Sequence, residues 1–361
     1  MQIESYNRQE LQEFIESGFY KQLDNIPISY HRALSQIHNP ACDEEDTLLW
    51  AAYDHNSLVG YAGILPGMCR AGKVDKKIYW LSGFWVDESY RKKQVASLLF
   101  FPLIRAYEER LFITNIVPGL EKTYQRLGIF QPTVYRTGYR FYMQFCFSEI
   151  IVSRKFRSPF LKSAAALTDY LLNLPFSVRT LFYKKSKKTF HITEDSCFDE
   201  NFQSLINSLQ PEDNYIKKDA THFEWILRYP WILQGKQDEE SQRYFFSSRS
   251  GRFNYCPLKV YEKEKLAGFV LLKIRDRALT VSYLYAKDAA VKDIALYLLE
   301  KAEREKLKTV TTSDKRLAGE ISKNRIRYIA AKEIKRACIV TKKMNITSFA
   351  FQEDDGDSVF T

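Results

Sequence analysis

The sequence predicts a mixed α/β (α+β) protein built from two similar halves joined by a basic segment. Three observations carry that expectation. Residues 78–130 alternate strand and helix patterns in one continuous run. A short pattern near residue 53 returns near residue 261. The 361 residues suffice for two domains, each with a core of its own.

The run over 78–130 opens with an apolar, aromatic strand, Ile78-Tyr79-Trp80-Leu81-Ser82-Gly83-Phe84-Trp85-Val86. A polar turn, Asp87-Glu88-Ser89-Tyr90, leads to the basic segment Arg91-Lys92-Lys93-Gln94-Val95-Ala96. From Val95 the pattern turns helical, with Leu99, Leu103 and Ala106 at three- and four-residue spacing. Pro102 is expected to remove one backbone bond and to kink that helix. A second strand, Leu111–Asn115, precedes a helix carrying Tyr124-Gln125-Arg126-Leu127-Gly128-Ile129-Phe130. A strand that delivers a basic loop to a helix start is a place to hold an anion. The first helical amides lack partners inside the helix, and that end of the dipole is positive.

This order resembles the acyl-CoA-binding core of the GNAT superfamily of N-acetyltransferases. The family loop reads Arg/Gln-x-x-Gly-x-Gly/Ala, and its backbone amides grip the pyrophosphate of coenzyme A. Arg91, Val95 and Ala96 fit that loop, while Gln94 stands where the middle glycine is usual. Glutamine can stand there with a helical φ and its side chain turned outward. The family strand that ends in Asn matches Asn115, and its Tyr-x-x-x-Gly helix matches Tyr124 and Gly128. The resemblance implies a mixed, mostly antiparallel sheet flanked by helices in each half, with acetyl-CoA as cosubstrate and no metal. It implies that the strand bearing Phe84, Trp85 and Val86 splays from its neighbour, binds the pantetheine arm and polarises the thioester. Arg91, Lys92 and Lys93 would add charge for the phosphates beside the amides of Gln94, Val95 and Ala96. Tyr124 would protonate the leaving thiolate. No spacing singles out a base, although Asp54, Asp87 and Glu88 lie on suitable loops.

Around this core, residues 1–46 hold a short strand (Gln2–Tyr6), an amphipathic helix (Gln9–Ser17) and a polar stretch. Residues 47–66 read as a hairpin turning at Asp54-His55-Asn56-Ser57. Its pattern Tyr53-x4-Leu58-x-Gly60-Tyr61 recurs as Tyr261-x4-Leu266-x-Gly268-Phe269. A strand (Ala278–Tyr285), a helix (Ala289–Lys306) and a strand (Thr309–Thr312) follow in the order of the first half, which predicts duplication. The second half lacks the arginine-led loop, reading Ala286-Lys287-Asp288-Ala289-Ala290-Val291-Lys292, and Tyr328 is the nearest substitute for Tyr-x-x-x-Gly. The expected organisation is therefore an acyl-CoA-binding half over 1–150, a basic linker over 151–190 and a degenerate half over 191–361.

Residues 151–190 carry nine Lys or Arg and one acid, a charge of +8 (nine minus one) of the total +10. Such concentration argues against a nucleic-acid groove along the whole protein and assigns the charge to the linker. On a helix, Leu161, Ala164, Ala165, Thr168, Leu171 and Leu172 form one stripe between Arg154-Lys155-Phe156-Arg157 and Lys184-Lys185-Ser186-Lys187-Lys188. That pattern suits a linker helix packed between two domains, and it also suits a helix lying peripherally on an anionic membrane. The aromatic stretch Phe223–Ile232 reads as core packing more readily than as a stacking wall. The acidic tail, Gln352–Ser358, is expected to be solvated.

Six scattered cysteines and five histidines show no ligand spacing, which argues against a metal site and suits a reducing, cytoplasmic setting. No signal peptide is expected at the amino terminus. The function expected is transfer of an acyl group from acetyl-CoA to an amine of an amino sugar, peptide or similar acceptor. An aminoacyl-tRNA-dependent peptidyltransferase of the related tandem fold, and a non-catalytic protein that kept the fold, are the competing readings.

Overall fold

The computed structural model describes residues 1–107, 109–116, 119–147, 159–181, 188–345 and 349–360. Two compact units emerge. The first comprises residues 1–136, 196–254 and 335–361, and the second comprises residues 137–195 and 255–334.

In the first unit, β1 (Gln2–Tyr6), β2 (Leu49–Asp54), β3 (Ser57–Ala71), β4 (Val74–Val86) and β5 (Leu111–Thr114) lie side by side in chain order. Every neighbouring pair is antiparallel except β4–β5, which is parallel. One face is covered by α1 (Arg8–Glu16), α2 (Gly18–Gln22) and α3 (Tyr30–Ile37), whose Leu11, Phe14, Tyr20 and Ala33 share a core with Tyr53 and Tyr61. Asn7 and Glu10 close a capping box that fixes the start of α1. The other face is covered by α4 (Val95–Tyr107) and α5 (Glu121–Arg126). Leu99 and Leu103 of α4 are fully buried against Ile64, Tyr79 and Ile113. The α4 helix continues past Pro102 to Tyr107.

The second unit repeats this plan. It contains β6 (Val134–Tyr142), then α6 (Pro159–Leu181) and β7 (Phe190–Glu194). Residues 196–254, which fold with the first unit, supply α7 (Glu200–Leu209), β8 (Tyr215–Ile216), α8 (Ala220–Arg228), β9 (Leu233–Gln234), α9 (Glu239–Arg243) and β10 (Arg249–Ser250). The second unit resumes with β11 (Phe253–Glu262), β12 (Lys265–Arg275), β13 (Ala278–Ala286), α10 (Asp288–Arg304), β14 (Thr309–Thr312) and α11 (Lys315–Ser322). Its strands run β7-β11-β12-β13-β14, and again the last pair, β13–β14, is parallel. The final strands are exchanged between the halves of the chain. The last strand, β15 (Ala330–Val340), pairs antiparallel with β5 in the first unit, while β6 pairs antiparallel with β14 in the second. Each sheet is thus mixed and mostly antiparallel, flanked by helices, and its sixth strand comes from the other half of the chain.

The repeated glycine of the sequence echo has one physical role in both units. Gly60 pairs with Val86, and Gly268 pairs with Ala286, where a strand meets the helix that follows the next strand. A Cβ on Gly268 would sit 3.0 Å from Ala286 Cβ and 3.1 Å from the Tyr285 carbonyl. A Cβ on Gly60 would sit 3.1 Å from the Trp85 carbonyl and 2.9 Å from Val95 Cγ1. Only the absence of a side chain permits these approaches.

Two expectations are corrected here. The stripe foreseen on residues 151–190 is not the buried one, because Ala164, Thr168, Leu171 and Leu172 of α6 are exposed and only Ala165 of that set is buried. The Leu161 side chain and the clusters 154–157 and 184–187 lie outside the described residues. The acidic tail is not solvated either: Glu353, Asp354 and Asp355 are buried in the first unit. Asp355 lies 3.9 Å from the buried Lys218 ammonium, and burial pushes its carboxyl up to about 6. The Trp residues of the aromatic stretch are core, as Trp225 and Trp231 are buried with their N–H groups donating to Ser35.

Replacing Gly268 with alanine should cost about 1–3 kcal/mol by overpacking against fixed backbone. A Cβ added to Gly319 of α11 would meet nothing within 4 Å, so Gly319→Ala should stabilise by roughly 0.5–1 kcal/mol. Denaturant unfolding of both variants checks the pair, and equal effects would contradict the assigned packing.

Candidate functional site

The site grows from the place where β4 and β5 part. Their ladder holds only at Tyr79–Leu111 and Trp80–Phe112. Beyond that point Leu81–Val86 continue along β3, while β5 pairs with β15 through Phe112–Thr114. Leu81–Val86 therefore make no pairing with β5 among the described residues, and the Ser82 carbonyl accepts instead from Arg32 Nη2 at 3.2 Å.

A bulge marks the same point. Ala62 pairs with Phe84 but Gly63 pairs with Ser82, which leaves Gly83 as the extra residue with φ +76°. Phe84, Trp85 and Val86 line the stretch that follows, all of them half-buried. Phe84 packs against Phe100 of α4, and Trp85 against Tyr61 and Phe245, with centroid separations of 6.0, 5.5 and 5.6 Å.

The loop after β4 ends at α4, whose first backbone bond runs from Leu98 N to Gln94 O at 3.0 Å. The amides of Val95, Ala96 and Ser97 therefore belong to the open first turn. Arg91, Lys92, Lys93 and Gln94 are all exposed there. Lys93 Nζ lies 3.9 Å over the Tyr90 ring, and Arg91 Nη2 is 2.7 Å from Glu88 Oε1. An exposed pair of that kind is weak, so Arg91 can exchange Glu88 for a phosphate.

Gln94 differs from expectation. Its φ is +60°, the left-handed conformation that glycine normally supplies, and not a helical one. The backbone thus keeps the shape of the glycine-containing loop, with strain of roughly 1 kcal/mol carried by the side chain.

Asn115, at the end of β5, also has positive φ, +51°, and its amide donates to Ser358 Oγ at 2.6 Å. Tyr124 on α5 stands between Phe100 and Phe130, at centroid separations of 5.6 and 5.9 Å. Burial raises its phenol above the ordinary value, which keeps the hydroxyl protonated.

Each of the three acids on the suitable loops is already engaged. Asp54 accepts from Tyr90 OH at 2.8 Å, Asp87 accepts from the Ser89 amide at 2.8 Å, and Glu88 holds Arg91. An unforeseen network lies at the bulge instead. Ser82 Oγ donates to Asp357 Oδ2 at 2.9 Å and accepts from Arg32 Nη2 at 2.8 Å. Arg32 also bonds Tyr244 and stacks 4.1 Å over Trp231. These partners lie far apart in sequence, so no spacing announces them; only the isolated Ser-Gly within an apolar strand hinted at the bulge.

The equivalent place in the second unit is closed. A single residue, Lys287, separates β13 from α10, against the eight residues Asp87–Gln94 between β4 and α4. Arg316 fills the position with a salt bridge to Asp288 at 2.7 Å and a bond to the Ala286 carbonyl. Among the described residues no cluster of His, Cys, Asp or Glu could hold a metal ion, and no helix is long and apolar enough to cross a membrane.

Comparison with known proteins agrees with this geometry. The fold is similar to that of a conserved protein from Enterococcus faecalis described as a probable N-acyltransferase. The two share 9% identity with a TM-score of 0.54, over 95% of this chain and 73% of that one. A GCN5-related N-acetyltransferase from Anabaena variabilis aligns at 10% identity and a TM-score of 0.49, over 93% and 72% of the two chains. A tandem GNAT protein from the clavulanic acid biosynthesis pathway aligns at 9% identity and 0.47, over 94% and 97%. No curated protein matches the sequence. The model of the acetyltransferase (GNAT) family matches residues 9–129, which span α1 to the end of the Tyr124 helix and contain the splayed strand and the basic loop. Residues 9–129, about a third of the chain, are thus similar to the acetyltransferase (GNAT) family.

Proposed function

We propose that the protein transfers an acyl group, most simply acetyl, from coenzyme A to an amine, using one site in the first unit. The parting of β4 from β5 after Trp80–Phe112 is the observation that carries this reading. It leaves strand backbone outside the β5 ladder, which is the kind of fixed donor and acceptor a thioester needs. In this reading Leu81–Val86 hold the pantetheine arm and an N–H of the strand polarises the carbonyl. The amides of Gln94, Val95 and Ala96 hold the pyrophosphate, with Arg91, Lys92 and Lys93 neutralising its charge.

The neutral amine nitrogen attacks the thioester carbon, and the carbon–sulfur bond breaks. The sulfur leaves with the bond pair and takes the Tyr124 hydroxyl proton. The nitrogen loses its extra proton to solvent or to Asp357, and Tyr124 regains a proton from solvent. Asn115 orients the end of the arm through the amide it turns toward Ser358. The acceptor is an amine on a sugar, a peptide or a similar molecule. The chain acts in the cytoplasm, where acyl-CoA is made.

The aminoacyl-tRNA alternative has less support, because the cations are concentrated on 151–190 and the second unit's loop is closed by Arg316 and Asp288. The non-catalytic alternative is weakened by Gln94, which keeps the glycine-like backbone despite its side chain.

Substitutions in the loop and at the tyrosine separate binding from chemistry. Arg91→Glu and Lys93→Glu should each weaken acetyl-CoA binding about tenfold, the scale of one charge-assisted contact. Titration calorimetry giving unchanged affinity in both would remove the loop from the site. Tyr124→Phe should lower kcat by about a hundredfold, within the range of general-acid effects, and leave acetyl-CoA affinity unchanged. Steady-state turnover equal to wild type would reduce Tyr124 to packing.

A further inference from the structure

The α6 helix is built with its polar side inward. Ala165, Asp169 and Asn173, four residues apart, face the second unit. Asp169 Oδ1 accepts the Phe147 amide at 2.7 Å, and Asn173 bonds both the amide and the carbonyl of Phe145 at 2.8 and 3.0 Å. This side covers a cavity of about 520 Å³ whose lining mixes polar residues (Asp169, Asn173, Arg277, Lys308) with apolar ones (Met143, Leu307). Opposite lie Phe160, Ala164, Leu167, Leu171 and Leu174, spaced by four, three, four and three residues. Their exposures reach 79% for Phe160, 59% for Leu167, 56% for Leu171 and 51% for Leu174. A helix of a water-soluble unit normally buries such a stripe.

The charge around the helix identifies what covers that stripe. The single acid of residues 151–190, Asp169, is buried on the inner side, so the outward face carries none. The same segment holds nine cations, seven of them in the sequence clusters that flank the helix, Arg154–Arg157 and Lys184–Lys188. A second copy of the chain would set two such segments of +8 against each other. An anionic surface attracts them, at about 1 kcal/mol per cation near the surface. From Phe160 to Leu174 the stripe extends about 21 Å along the axis, at 1.5 Å per residue. That length suits a helix lying in the plane of a headgroup layer with its apolar side down.

We propose that α6 docks the protein on an anionic lipid surface, with Phe160, Leu167, Leu171 and Leu174 entering the interface and the net positive charge of residues 151–190 favouring anionic headgroups. The inference does not depend on the acyl-transfer reading, and its test has no catalytic readout.

The test is sedimentation of the full chain with vesicles of phosphatidylcholine alone, or mixed with phosphatidylglycerol, at low and high salt. The wild-type chain should sediment with the anionic vesicles at low salt, stay in solution with the neutral ones, and be released by high salt. Leu167→Glu/Leu171→Glu, at two exposed positions, should lower anionic-vesicle binding about tenfold or more with an unchanged unfolding midpoint. The proposal fails if the wild-type chain stays in solution with anionic vesicles at low salt, or if the double variant binds as wild type does. It also fails if the wild type is a dimer that the double variant dissociates while vesicles capture neither, since the stripe then belongs to a second copy.

Discussion

Sheets rarely leave backbone unpaired inside a fold, because a buried N–H or C=O without a partner costs as much as a lost hydrogen bond. In the first unit the strand pairing that meets this demand stops between two neighbouring strands. The parallel ladder between β4 and β5 ends at Trp80–Phe112, and the rest of the site depends on that ending. Gly83, in the bulge, turns β4 while its pairing with β3 continues to Val86. On the other side β15 keeps β5 in the sheet by pairing with Phe112, Ile113 and Thr114. Two strands held firmly on their outer edges can diverge on their inner ones. Past that ending β4 delivers the loop that leads to the first turn of α4.

The second unit shows what the same plan does without that loop. Its strands repeat the order, the parallel pair and the tight glycine contact of the first. With one residue between β13 and α10 there is no loop like Asp87–Gln94, and Arg316 pairs with Asp288 beside the helix start. The repeated plan keeps the packing in both units, and the longer loop occurs in the first. The exchange of β6 and β15 makes each sheet depend on both halves of the chain for its sixth strand.

Local features of this arrangement were readable in the sequence and non-local ones were not. Strand, basic loop and helix over 78–130 follow from periodicity and from cations at a helix start, which are properties of neighbouring residues. The echo of Gly60 in Gly268 was legible because the same close approach demands the same missing side chain. Where a ladder stops depends on strands distant in sequence, so the end at Trp80–Phe112 could not be read. The strand exchange was hidden for the same reason, because an apolar run does not name its partner. Gln94 shows a different limit: its residue type suggested a helical φ, and the loop imposed the left-handed one. Periodicity located the α6 helix but could not say which side faces inward, and there the hydrogen bonds of Asp169 and Asn173 outweigh the leucines. The tail looked solvated because of its acids, yet burial beside Lys218 and bonding to Ser82 hold it against the first unit.

We propose one acyl-CoA site per chain, where β4 and β5 part. Amide hydrogen exchange of the full chain with and without acetyl-CoA tests it most directly, since it reads every backbone group at once. Added protection is expected at Leu81–Val86 and at Gln94–Ser97, saturating at a single equivalent, with Ala286–Lys292 unchanged. Protection confined to Ala286–Lys292, or no change anywhere at saturating acetyl-CoA, would contradict it.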